Sequence, residues 1–178
     1  MTVTQLQFSP VADHLLSVSR DRSWAVHALS LDQDKLSVTR TAGSDKRTSP
    51  HKRIIWTCCW SADGAHFFTG SRDKLVVCWE LTTGSTALDP LVLPDSVTAL
   101  AASHPGPGRP QRLAVGLDSG LIHVYSWNSA GFQLLSSLSC ELAHHLTVTR
   151  LAFSPTDENL LASASLDHAL KIYSLKNL

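Results

Sequence analysis

The chain has 178 residues, 43% of them hydrophobic, and its 15 basic residues are balanced by 15 acidic ones. That length supports a substantial core, while the charge balance excludes a global attraction to nucleic acid or to an acidic membrane. No apolar run approaches the roughly 20 residues of a membrane-spanning helix, and the opening MTVTQLQF carries neither the basic nor the apolar segment of a signal peptide.

Residues 1–40 form a first unit. VTQLQFSP from Val3 reads as a strand, a second strand ends at the tight turn Ser19-Arg20-Asp21, and a third carries His27. KLSVTR (Lys35–Arg40) alternates polar and apolar residues, as an outer edge strand should. Thr41–Pro50 is an exposed basic loop.

Residues 51–92 form the second unit and show the pattern most clearly. IIWTCCW is a near-continuous apolar run, the signature of a strand buried on both faces. SADG follows, with Gly64 free to take the positive φ of a hairpin turn. HFFTGS, the turn RDK and the strand LVVCWEL complete a meander, and a fourth strand falls within Ser85–Val92.

Residues 97–138 and 142–175 repeat the theme. The third unit has VTALAAS, a protruding loop Ser103–Gln111 held open by three prolines, the turn Gly116-Leu117-Asp118, and the strands LIHVYSW and FQLLSSL. The fourth has VTRLAFSP, the turn Ser165-Leu166-Asp167 and a third strand, after which only Lys176-Asn177-Leu178 follow.

Aligning the four turns places aspartates at Asp21, Asp73, Asp118 and Asp167, spaced by 52, 45 and 49 residues. The position of Trp79 is taken by His27, Tyr125 and Tyr173, with the spacing in the third unit one residue longer. His51 recurs as His144, each four residues before a first-strand residue (Ile55, Val148). These types predict a buried polar brace made of His51, Ser71, Asp73 and Trp79, and again of His144, Ser165, Asp167 and Tyr173. In it the aspartate accepts from the histidine and the turn amides, the histidine bonds the serine, and the serine reaches the indole.

Four degenerate copies of a roughly 45-residue all-β unit resemble the WD-repeat β-propeller family. The resemblance implies about four blades of a propeller. The fourth unit lacks an outer strand and no spare N-terminal strand supplies one, so the expected architecture is a partial, open portion of a larger propeller. Within that class, SRDRSW, RIIWTCCWSADGAHFFTGSRDKLVVCWE and AVGLDSGLIHVYSW together resemble the WD-repeat subunit family of the Elongator complex, at the closing part of its second propeller. The fourth unit is generic. This resemblance implies a non-catalytic scaffold whose partners are other Elongator subunits, in a complex that modifies the wobble uridine of tRNA. The alternative is a WD-repeat adaptor for trafficking or ubiquitin ligation.

No residues argue for chemistry. His144-His145 near Asp167 suggest a metal or general-base pair, but the repeat already assigns His144 to the brace and leaves His145 in solvent. Cys58, Cys59, Cys78 and Cys140 lack zinc-site spacing and read as small hydrophobes in a reducing, intracellular setting, cytoplasmic or nuclear. No phosphate loop or nucleophile elbow is present. The expectation is therefore no enzyme, no cofactor and no small-molecule substrate. One face does invite a partner. The turns after second strands and the loops entering first strands share it, gathering Arg20, Arg22, Lys46, Arg47, Lys52, Arg53, Arg72 and Lys74. No aromatic residue is evident among them to stack a base, which makes RNA a secondary expectation.

Overall fold

A computed structural model describes residues 2–33, 35–45, 47–106, 110–139 and 141–176. It contains four antiparallel meanders in chain order. The first pairs β1 (Val3–Phe8), β2 (His14–Ser19), β3 (Trp24–Asp32) and β4 (Lys35–Gly43). The second pairs β5 (Ile55–Trp60), β6 (His66–Ser71), β7 (Leu75–Glu80) and the two-residue β8 (Leu91–Val92). The third pairs β9 (Val97–Ala102), β10 (Gln111–Leu117), β11 (Ile122–Asn128) and β12 (Gly131–Leu138). The fourth has three strands, β13 (Val148–Phe153), β14 (Leu160–Ser165) and β15 (Leu170–Ser174).

Each sheet stacks on the next through alternating side chains. Phe67, Cys58 and Val77 join Trp24, Val18 and Leu16 in a core between the first and second sheets. Their immediate neighbours Phe68, Cys59 and Val76 face the other way, into a core with Val97, Leu113 and Trp127 of the third sheet. Ile122, Val124 and Ala114 then meet Val148, Leu151 and Leu161 of the fourth. Period-two alternation with both faces apolar is why the second unit reads as unbroken hydrophobic runs. Burying one such Phe or Leu is worth about 1.5–3 kcal/mol. Cys58, Cys59 and Cys78 are fully enclosed here, and burial pushes the Cys58 and Cys78 thiols up to about 12. Cys140 lies outside the described residues.

The first strands of the four sheets lie side by side and are stitched by side chains, because each would otherwise present an unpaired edge. Thr4 Oγ1 donates to the Ile55 carbonyl at 2.6 Å, and Thr98 Oγ1 to the Val148 carbonyl at 2.7 Å. The Gln5 amide pairs with the Cys58 backbone in both directions, and Trp60 Nε1–H reaches the Gln7 carbonyl at 3.1 Å. The sheets approach closely where the preceding blade has glycine. A Cβ at Gly70 would overlap Val97, and one at Gly116 would overlap Val148.

The three cores leave two outer faces bare. Leu6 and Phe8 on β1 are 56% and 66% exposed, and Leu170 and Ile172 on β15 are 71% and 67% exposed. Among the described residues no core joins the first sheet to the fourth. The architecture is an open arc of propeller blades. One expectation is corrected. The IIWTCCW run predicts a strand buried on both faces, yet Trp56 is 39% exposed, because it falls at the register irregularity between Ile55 and Thr57 and borders a cavity. The tip of the proline-rich loop, residues 107–109, and Asn177-Leu178 lie outside the described residues.

Candidate functional site

The second blade carries the most complete brace. Trp79 Nε1–H donates to Thr69 Oγ1 at 2.8 Å, and an indole nitrogen can only donate. The same Thr69 hydroxyl hydrogen-bonds His51 Nε2, also at 2.8 Å. His51 Nδ1–H then donates to the Asp73 carboxylate at 3.2 and 3.3 Å. Asp73 further accepts the backbone N–H groups of Lys52 at 2.6 Å and Leu75 at 3.1 Å. Burial raises the Asp73 carboxyl, but the His51 hydrogen bond and charge, with the Lys52 amide and Ser71, outweigh it and hold it below the usual carboxylate range. His51 is wholly buried.

The relaying hydroxyl belongs to Thr69, not to Ser71 as the sequence suggests. Register is the reason. Trp79 sits opposite Phe67 in the ladder, so Thr69 lies about 7 Å along the strand and Ser71 about 14 Å, beyond the reach of an indole. Ser71 instead braces the turn, donating to the Arg53 carbonyl at 3.2 Å and accepting the Asp73 N–H at 3.2 Å. The fourth blade repeats the correction. His144 Nδ1 bonds Asp167 at 2.9 and 3.1 Å, while its Nε2 meets Ser163 at 2.6 Å. The Ser163 and Tyr173 hydroxyls are 3.3 Å apart, whereas Ser165 donates to the Leu146 carbonyl. Burial acts against ionisation of Asp167, but the Ala169 amide, His144 and the His145 amide lower its pKa to about 2. His145 contributes only its backbone N–H, at 3.2 Å, and its ring is exposed.

The third turn is framed differently from the sequence reading. The residue with positive φ follows the aspartate in three blades, at Arg22 (76°), Lys74 (71°) and His168 (65°), and in the third blade it is Gly120 (89°). Ser119, not Asp118, therefore occupies the turn-aspartate position, and the spacing to Tyr125 becomes six residues as in the other blades. Gly120 is required twice over, since a Cβ would also overlap the His144 carbonyl. In this frame the brace positions hold Leu93 and Val115, both buried in the core beside Tyr125. The third blade has replaced both polar partners with apolar ones, which leaves nothing unsatisfied.

Asp118 falls into line with Arg20, Arg72 and Leu166. Each donates its backbone N–H to the residue just before a first strand: Arg20 to Thr2, Arg72 to Ile54, Asp118 to Ser96 and Leu166 to Thr147. Arg72, Asp118 and Leu166 border a cavity of about 520 Å³ that also includes Trp56, Thr98 and Arg150. Among the described residues, the remaining basic residues of the predicted face do not line this cavity and lie in the turns after second strands and the loops entering first strands. Lys74 Nζ donates to the Pro94 carbonyl at 2.9 Å, so its ammonium is partly used within the blade. Lys52 and Arg53 are exposed and tied to the same turn through Asp73 and Ser71. Arg20 and Arg22 occupy the equivalent turn of the first blade. Arg47 is exposed, and Lys46 lies outside the described residues.

Asp21 and Asp73 do not neutralise this surface. Asp21 accepts from Ser23, at 2.5 Å from its hydroxyl, and Asp73 turns inward to His51. Among the described residues no carboxylate forms an ion pair with Arg20, Arg22, Lys52, Arg53, Arg72 or Lys74. Nor does any group of three or more His, Cys, Asp or Glu side chains stand close enough to hold a metal ion among those residues.

Blades of short antiparallel strands, stacked face to face and braced by a buried histidine and a turn aspartate, define the class. The WD domain, G-beta repeat model matches residues 43–80 and 133–174, and the chain belongs to the WD-repeat family. Over nearly its full length it is similar to proteins called Elongator complex protein 2. The relative from Drosophila melanogaster is 42% identical across 96% of this chain, that from Mus musculus 34% across 97%, and that from Saccharomyces cerevisiae 32% across 98%. The chain spans about a quarter of the length of these relatives (23%, 25% and 23%).

Proposed function

We propose that this chain serves as a non-catalytic scaffold in an Elongator-type complex, supporting modification of the tRNA wobble uridine by holding other subunits. The observation that carries the reading is the similarity to Elongator complex protein 2 from insect, mammal and yeast across almost every residue. The unpaired basic rim supports it, because exposed guanidinium groups with no carboxylate of their own suit an acidic partner surface. The setting that goes with this role is intracellular, in cytoplasm and nucleus.

Affinity purification of the full-length protein tests the proposal. Elongator subunits are expected in stoichiometric amounts, and Arg20→Glu with Arg72→Glu should weaken their retention without lowering the melting temperature. Raising ionic strength should narrow the difference between wild type and variant. Recovery of a trafficking or ubiquitin-ligase assembly instead would replace this reading with that of a different WD-repeat adaptor.

A further inference from the structure

Threonine follows the leading residue of the first strand in three of the four blades: Thr4, Thr98 and Thr149. Its hydroxyl has a repeated structural task. The one Thr4 hydroxyl proton lies between the carbonyls of Val18 in its own blade, at 3.1 Å, and Ile55 in the next, at 2.6 Å, and Thr98 is placed the same way between Gly116, at 3.2 Å, and Val148, at 2.7 Å. Thr149 makes the bond within its own blade, to Ala164 at 3.1 Å. The second blade has Trp56 here. It forgoes the stitch to β9 and instead leaves a 39% exposed indole bordering the cavity. At a position where the other blades carry a small hydroxyl, the second blade thus gives the cavity an aromatic face.

The surroundings of Trp56 narrow the ligand. Arg72 and Arg150 border the same cavity. Arg150 uses one guanidinium nitrogen on the Thr149 carbonyl, at 3.1 Å, which leaves its other donors available. Among the described residues the border has one carboxylate, Asp118, which accepts the Thr147 hydroxyl at 2.7 Å and is outnumbered by the two guanidinium groups. Apart from the indole, Val148 and Leu166, the border is hydroxyl-rich, so it lacks the apolar depth in which a peptide side chain would anchor. Lys52 and Arg53, in the loop entering β5, are exposed as well.

We propose that this cavity binds single-stranded nucleic acid, one unpaired base stacking on Trp56 while Arg72 and Arg150 hold the flanking phosphates. Aromatic stacking beside guanidinium groups accepts any base through its π-face and needs no sequence readout. This inference goes beyond the scaffold reading and does not depend on it.

The test uses the full-length protein and fluorescence anisotropy with a labelled oligouridylate, a blunt RNA duplex and polyglutamate as probes. Trp56→Thr restores the residue of the other blades and with it the inter-blade bond, so its melting temperature should match or exceed that of wild type. Its affinity for the oligouridylate should nevertheless fall about tenfold or more, with duplex binding unchanged, while Trp56→Phe should keep most of the affinity. Arg72→Ser and Arg150→Ser should each flatten the salt dependence of binding by about one phosphate contact. Equal oligouridylate affinity of wild type and Trp56→Thr would overturn the proposal. So would the absence of oligouridylate binding by wild type, or equally potent displacement by polyglutamate, which would assign the cavity to an acidic peptide.

Discussion

Trp79 and His51 meet at the same oxygen: each places a ring nitrogen 2.8 Å from Thr69 Oγ1, so one hydroxyl accepts from the indole and also hydrogen-bonds the imidazole. The bonds then form one chain, from Trp79 through Thr69 and His51 to the Asp73 carboxylate. His51 Nδ1 stands 3.2 and 3.3 Å from the two Asp73 carboxylate oxygens.

Thr69→Val is expected to cost about 2–3 kcal/mol, because it leaves a buried indole N–H and a buried imidazole nitrogen without partners. Ser71→Ala should cost about 1 kcal/mol, since it removes only turn bonds. Urea titration of both variants checks the order, and a larger loss for Ser71→Ala would mean that the serine is the relay after all.

The third blade suggests how the brace is dispensed with. His51→Leu together with Thr69→Val copies Leu93 and Val115. The double variant is expected to be more stable than the sum of the single losses predicts, by at least about 1 kcal/mol, because the bond between His51 and Thr69 is lost once and not twice, although Trp79 Nε1–H and Asp73 still lose a partner. A double-mutant cycle measured by denaturant unfolding gives this coupling directly.

Acid should loosen the blades in a defined window. Asp73 and Asp167 both titrate below their unfolded value of roughly 4, Asp167 at about 2. Depressed carboxylates contribute stability that is fully present above the unfolded pKa and lost as pH falls through the folded one. The melting temperature should therefore hold near neutrality and drop between about pH 4 and pH 2. Asp73→Asn and Asp167→Asn should start lower at pH 7 and show a flatter acid limb.

The bare outer faces predict self-association of the isolated 178-residue polypeptide. Phe8 and Leu6 at one end of the arc, and Leu170 and Ile172 at the other, form exposed apolar surface of the kind that blade neighbours cover in a closed ring. Light scattering should show concentration-dependent assembly. Phe8→Lys with Ile172→Lys should reduce it, whereas Trp56→Thr, on neither face, should not.

Much of the site is legible in the residue string. The spacing of His51, Asp73 and Trp79 points to a brace because polar side chains recurring beside apolar strands need partners once buried. The relay hydroxyl is not legible, since Thr69 and Ser71 share one face of β6 and both types can bond a histidine. Only the ladder pairing of Phe67 with Trp79 separates them. Gly116-Leu117-Asp118 likewise matches the turn pattern by composition, and it takes the positive φ at Gly120 to show that Ser119 occupies the aspartate's place.

By itself, then, the sequence determined the strands, the tight turns and the repeating blade, because alternation and turn chemistry are local properties that each unit states anew. Tertiary structure decided what depends on the position of a neighbour. Trp56 on β5 borders the cavity, so it is exposed although it stands in an apolar run that reads as core. Asp21 and Asp73 fold back onto their own blades, so the basic rim keeps its charge although acidic residues lie beside it in the chain. Hydrophobicity and charge are written residue by residue, whereas which surface a side chain meets is set only when the blades are stacked.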